Sequence, residues 1–72
     1  MFTIKVIEQG SEGIESEQVF EASGVRSDKT AVYVDLEHGQ AEYRYRQTGE
    51  PGSSQTMFVM NRFGATVADY RL

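Results

Sequence analysis

The chain contains no cysteine, a single proline and a single histidine in 72 residues. Without cysteine, neither a disulfide nor a zinc site with thiolate ligands can form, and the absence fits a reducing compartment. A domain of this size buries only about 60% of the surface that its unfolded chain exposes. Such domains usually gain stability from a disulfide, a metal ion or self-association. Because no metal motif is present either, the sequence favours self-association.

Long apolar runs are also missing, and no segment approaches the length of a membrane span. Residues 1–10, MFTIKVIEQG, do not resemble a signal peptide, because their apolar residues alternate with polar ones and Glu8 soon interrupts them. We therefore expect a single soluble domain, residues 1–72, in the cytoplasm and without a membrane partner.

Basic residues are outnumbered, and the formal net charge is −4. The imbalance lies in residues 1–25, which hold five glutamates against Lys5 alone, whereas acids and bases balance in residues 26–72. Direct nucleic-acid binding is not expected, since it requires clustered lysine and arginine. The acidic stretch fits a basic protein partner or imitation of a phosphate backbone, or it only keeps the surface soluble.

Period-two alternation of apolar and polar residues is the main structural signal, and it is typical of half-buried strands. It predicts an all-β fold, a small antiparallel meander of five or six strands curved into an open sheet or a small barrel. Residues 9–18 stay undecided between loop, strand and helical turn, and residues 48–54 are a predicted loop. The predicted strands are residues 2–8, 17–22, 30–37, 40–47, 56–61 and 65–72.

The segment AEYRYR, residues 41–46, combines tyrosine and arginine in strict alternation. A hairpin centred on His38-Gly39 pairs residues whose numbers sum to 77. Tyr43 and Tyr45 then face the core, and the arginines face the opposite side of the sheet. On that side Tyr33, Arg44 and Arg46 are candidate ligand-binding residues for a nucleotide or another phosphorylated signal. The alternative is a charge-balanced outer face.

The last two predicted strands meet at Asn61-Arg62-Phe63-Gly64, the pattern of a type I turn followed by a glycine bulge. If residues pair directly outward from this turn, the numbers of each pair sum to 126, and the hairpin is apolar on both faces. One face is a candidate self-association surface. It consists of Met57, Val59, Ala65 and Val67.

Phe63 occupies the centre of this turn, a position that normally takes a polar residue. If exposed beside Arg62, it forms a candidate partner-binding pair. The alternative is that Phe63 folds back over the open end of a thin core.

No constellation of residues indicates an enzyme. His38 lies in a predicted turn without an orienting partner or a pocket. No phosphate loop, dinucleotide fingerprint or nucleophile elbow occurs. We expect no catalytic residue, no metal and no cofactor.

The C-terminal segment VMNRFGATVADYRL, residues 59–72, resembles the ending of very small β-rich proteins encoded by phages and prophages. The resemblance implies a non-enzymatic accessory protein in the cytoplasm of an infected host. Such a protein would inhibit a host defence protein by direct binding, or sequester a nucleotide signal as an oligomer. A phage structural or assembly role is a further alternative. The shared elements are Val59-Met60-Asn61, Gly64, Thr66-Val67-Ala68 and Tyr70.

Overall fold

The computed structural model describes residues 1–45 and 54–72, and within them the chain is all-β, as predicted. Seven antiparallel strands form two sheets, in the orders β2-β1-β6-β7 and β3-β4-β5. The strands are β1 (Phe2–Gly10), β2 (Gly13–Ala22), β3 (Gly24–Ser27), β4 (Ala31–Leu36), β5 (Gly39–Arg44), β6 (Ser54–Met60) and β7 (Thr66–Arg71). The predicted small antiparallel all-β fold is confirmed, but the described residues form seven strands in two sheets where the sequence indicated five or six in one meander, because β1 pairs with the distant β6.

The first hairpin includes residues 9–18, which the sequence left undecided. Gly10 pairs with Gly13 across a two-residue turn, and Gly13 has a φ of +117° that favours glycine. The register shifts beyond Glu8, and this bulge leaves Glu15 without a partner in the ladder. The Glu15 side chain lies over Gly10, where a Cβ would collide with it. The turn and the bulge therefore extend β2 well beyond the predicted residues 17–22.

The core lies between the two sheets and consists of aliphatic side chains. None of the described residues is a buried polar or charged residue. Fully burying one valine or isoleucine contributes roughly 1.5–3 kcal/mol, so these few side chains supply much of the stability of a small domain. The members of the buried cluster are Ile4, Val6, Ala22, Val32, Val34, Met57, Val59 and Leu72.

The central hairpin keeps the predicted faces but not the predicted register. Its residue pairs sum to 75, so that Val32 faces Tyr43 and Tyr33 faces Glu42. The turn is Glu37-His38, closed by Leu36 opposite Gly39, and no described residue other than glycine has a positive φ. A shift by two residues leaves every side chain on its original face. Tyr43 and Tyr45 accordingly pack against the core, and burial raises the pKa of Tyr43.

The C-terminal hairpin has the predicted turn but a different register. Gly64 N–H donates to the Asn61 carbonyl (3.0 Å), and Gly64 has a φ of +83°. The pairing begins with Met60 opposite Thr66 and then shifts, because a β-bulge at Val67 adds one residue to β7. From there Met57 faces Tyr70 instead of the predicted Asp69. The extra residue reverses which side chains of β7 face the core, so Leu72 lies with Met57 in the buried cluster and Tyr70 packs against it.

Replacing Gly64 by alanine is expected to lower the free energy of unfolding by about 1–2 kcal/mol, because an L-residue is strained at this φ. An added Cβ would meet no atom within 4 Å, so crowding does not contribute. Urea denaturation followed by circular dichroism measures the loss. Gly64→Asn, whose side chain tolerates positive φ better, should lose less. Equal losses in both variants would contradict the backbone explanation.

Candidate functional site

The outer face of the three-stranded sheet carries the polar side chains that the sequence suggested for ligand binding. Tyr33 lies between Arg26 on β3 and Glu42 on β5. The Arg26 guanidinium carbon is 5.5 Å from the centre of the Tyr33 ring, a cation–π distance. The Tyr33 hydroxyl donates to Asp28 Oδ2 (3.2 Å). Beside these groups is an open depression of about 370 Å³, which Arg26, Asp28 and Tyr33 help to line.

Arg44 shares this face but is not the direct partner of Tyr33. It lies opposite Ala31, and its Nε is 3.5 Å from Glu42 Oε2. An exposed pair of this kind contributes little to stability, and the arginine stays accessible. The predicted Arg46 is outside the described residues. Sequence reasoning missed Arg26, because the four residues of β3 are too few to show an alternating pattern.

Asp28 organises the loop beside the depression. Its Oδ1 accepts hydrogen bonds from Thr30 N–H (2.7 Å), Thr30 Oγ1 (2.8 Å) and Ala31 N–H (3.0 Å). These donors, the Thr30 N–H foremost, favour the ionised carboxylate and lower the pKa of Asp28. These hydrogen bonds therefore fix the loop between β3, which carries Arg26, and β4, which carries Tyr33.

The lowered pKa of Asp28 gives a pH prediction. The unfolded chain binds the proton more tightly, so the stabilisation is complete above its ordinary pKa, near 3.8, and disappears as the pH falls through the lower folded value. Urea midpoints measured from about pH 6 down to about pH 2 should therefore decrease over this range. Asp28→Asn should flatten part of the decrease. An identical pH dependence in both chains would contradict the assignment.

A second candidate surface is the turn of the C-terminal hairpin. Phe63 is 79% exposed, more than any other large apolar side chain in the described residues. Asn61 Oδ1 accepts hydrogen bonds from Phe63 N–H (2.9 Å) and Ala65 N–H (3.0 Å). The Arg62 guanidinium carbon is 4.8 Å from the centre of the Phe63 ring. The turn therefore holds an aromatic side chain in solvent within a fixed backbone.

The predicted self-association surface is divided by the structure. Met57 (0% exposed) and Val59 (3%) belong to the core and are not available to a second copy. Ala65 and Val67 are both exposed, and the Val67 side chain at the bulge is 54% exposed. The bulge leaves Val67 on the solvent side of the hairpin, whereas Met57 and Val59 lie on its core side.

Within residues 1–45 and 54–72, no group of three or more histidine, aspartate or glutamate side chains could hold a metal ion. The same residues contain no helix that is long and apolar enough to cross a lipid bilayer. His38 is exposed in the Glu37-His38 turn.

No protein-family model, curated protein or solved structure matches this chain. Its function must therefore be inferred from the chemistry of its own surfaces.

Proposed function

We propose that this is a non-catalytic binding protein that acts by occupying a partner protein through the Asn61–Gly64 turn. The exposure of Phe63 carries the proposal. Leaving an aromatic side chain this far out of the core forgoes its burial, which stabilises a fold by up to about 3 kcal/mol. Because this domain has a small core, we explain the unburied Phe63 ring by a contact with a partner.

The geometry of the turn supports this role. Aromatic residues and arginine are the side chains most enriched among those that dominate binding energy. Phe63 and Arg62 adjoin each other, and the Asn61 side chain fixes the backbone around them. A partner-binding residue that is already ordered loses less conformational entropy on association. Arg62 and Phe63 together form the proposed contact.

The partner is proposed to be a bacterial host protein, such as a defence component, which this protein inhibits in the host cytoplasm. The resemblance of residues 59–72 to small phage-encoded proteins supports this choice. Inhibition by occupation requires only a stable contact, and this fits a chain whose described residues present exposed binding groups.

The test is quantitative capture from bacterial lysate with the natural chain, Phe63→Ala and His38→Ala, followed by direct affinity measurement with the identified protein. His38 is the matched control, since it occupies the exposed turn of the other sheet. Phe63→Ala should weaken binding by about thirtyfold or more, as expected for a dominant contact. The His38→Ala chain should bind normally. Equal capture by all three chains would reject the turn as the binding surface.

Self-association is proposed as a second property, through the exposed part of the C-terminal hairpin. Val67 lies at the bulge with its side chain exposed, and Ala65, two residues earlier, is exposed as well. Light scattering should then give a defined oligomer for the natural chain and a monomer for Val67→Glu. Monomers in both cases would reject the proposal, and large polymers would instead favour a structural or assembly role.

A second candidate function is binding of a phosphorylated small molecule, such as a nucleotide signal, at the depression beside Tyr33. The placement of Arg26 over the Tyr33 ring favours it, because guanidinium groups bind phosphate and aromatic rings stack on bases. A ligand of the folded state raises the melting temperature by mass action. Arg26→Ala and Arg44→Ala should abolish that rise, whereas Arg62→Ala should preserve it.

A further inference from the structure

The outer edge of β2 is an unusual feature of the four-stranded sheet. β2 spans ten residues, and among the described strands only β1 pairs with it. Its opposite side therefore offers backbone N–H and C=O groups to an additional strand. Proteins normally protect such edges with charged side chains, above all lysine, with proline, with a bulge or with a very short strand. In β2 the bulge lies at the turn end, and the only charged side chains are glutamates. β2 contains neither lysine nor proline.

The regular part of the edge is long enough to accept a partner strand. The bulge at Glu15 lies near the turn, and the ladder with β1 then runs without interruption from Ser16 to Ala22. At the far end, Ser23 N–H donates to the Asp35 carbonyl (2.8 Å), which ties the chain to the other sheet. The accessible edge is therefore centred on residues 16–20, five positions in extended conformation.

The side chains of β2 combine negative charge with exposed apolar groups. Glu15, Glu17 and Glu21 are exposed, and the strand carries no base. Lys5 Nζ on β1 lies 3.2 Å from Glu17 Oε1, which shows that this strand accepts a basic neighbour in a cross-strand contact. Val19 is 60% exposed between the two glutamates, and Ile14 is 61% exposed near the turn.

These charges select the kind of strand that can pair here. A second copy pairing through the same edge would bring glutamates against glutamates, and like charges on paired strands destabilise a sheet. A strand with alternating lysine or arginine places opposite charges beside Glu17 and Glu21. Its apolar residues would then meet Val19.

We propose that the β2 edge binds an extended, basic segment of the partner protein by adding it as a strand to the four-stranded sheet. Main-chain hydrogen bonds supply affinity in this mode, and the flanking side chains supply specificity. The inference rests on the proposed function and specifies the chemistry of the partner. The β2 edge and the turn with Phe63 are separate surfaces that the same partner contacts.

The experiment uses the full chain, labelled with ¹⁵N, and a short acetylated peptide in which lysine, threonine and valine alternate. The same peptide with glutamate in place of lysine is the matched probe. We expect saturable binding of the lysine peptide alone. Amide hydrogen exchange should slow at alternate residues within 16–20, because only every second N–H of an edge strand points outward. Raising the ionic strength from about 0.05 M to about 0.5 M should weaken binding several-fold.

The double variant Glu17→Lys with Glu21→Lys should bind the lysine peptide at least about tenfold more weakly. Glu37→Lys with Glu42→Lys is the matched control, because it makes the same charge change on the other sheet and should retain binding. Thermal unfolding verifies that both chains are folded, since the first variant loses the contact of Glu17 with Lys5. If the first variant does not fold, Glu21→Lys alone gives the comparison.

In the peptide experiment, three outcomes would overturn the inference: no binding of the lysine peptide, equal weakening by both double variants, or binding without protection of residues 16–20. The first would mean that the glutamates only keep the edge soluble, and the other two would mean that the peptide binds through net charge or at another surface. Phe63→Ala should leave peptide binding unchanged. If the partner is still captured normally by the Glu17 and Glu21 variant, the edge inference fails while the proposed function stands. If Phe63→Ala also retains capture, both fail.

Discussion

Replacing Met57 by alanine is expected to lower the free energy of unfolding by about 2–5 kcal/mol, through lost burial and the cavity that remains. Met57 is fully buried in the cluster between the sheets. Folded domains are stable by only about 5–15 kcal/mol, and a thin core places this chain toward the lower end. A large part of the total stability therefore depends on this one side chain.

Met60→Ala is the matched control, because Met60 lies on the same strand but outside the buried cluster. It should cost less than about 1 kcal/mol. Urea denaturation followed by circular dichroism measures both variants. Similar losses would mean that Met57 does not lie in the core.

Replacing Val34 by aspartate is expected to abolish folding. Val34 is 0% exposed, and none of the described residues is a buried polar or charged residue that could partner a carboxylate. An isolated buried charge costs several kcal/mol even after its pKa shifts, which is comparable to the whole stability of so small a domain. Far-UV circular dichroism and the dispersion of amide resonances should both show an unfolded chain.

Val67→Asp makes the same chemical change at a valine that is 54% exposed. Measured at a protein concentration low enough that the natural chain is a monomer, its free energy of unfolding should fall by no more than about 1 kcal/mol. A folded Val34→Asp chain with dispersed resonances would contradict the placement of the core between the two sheets.

Local alternation determines which residues share a face, and it predicts faces better than registers. In the central hairpin a register error of two residues left Tyr43 and Tyr45 on the core side, since side chains repeat every two residues. In the C-terminal hairpin the bulge at Val67 introduced an error of one residue and exchanged the faces. The simple register already contained a warning, because it placed Asp69 opposite the apolar Met57.

The division into two sheets could not be predicted from local pattern. It follows from the pairing of β1 with β6, whose residues are far apart in sequence. The exposure of Phe63 could not be predicted from the sequence either, because burial depends on whether another element covers the turn. Arg26 became part of the candidate ligand site only when β3 was placed beside Tyr33. The type I turn at Asn61–Gly64 was predictable, since its geometry depends on neighbouring residues alone.

The most direct test of the binding account is a titration of the ¹⁵N-labelled chain with the captured partner, followed through amide chemical shifts. We expect the largest changes at residues 62–65, with further changes along β2 where the partner adds a strand. Changes confined to Arg26, Tyr33 and Arg44, with the turn unaffected, would contradict it. They would place the functional surface on the three-stranded sheet instead.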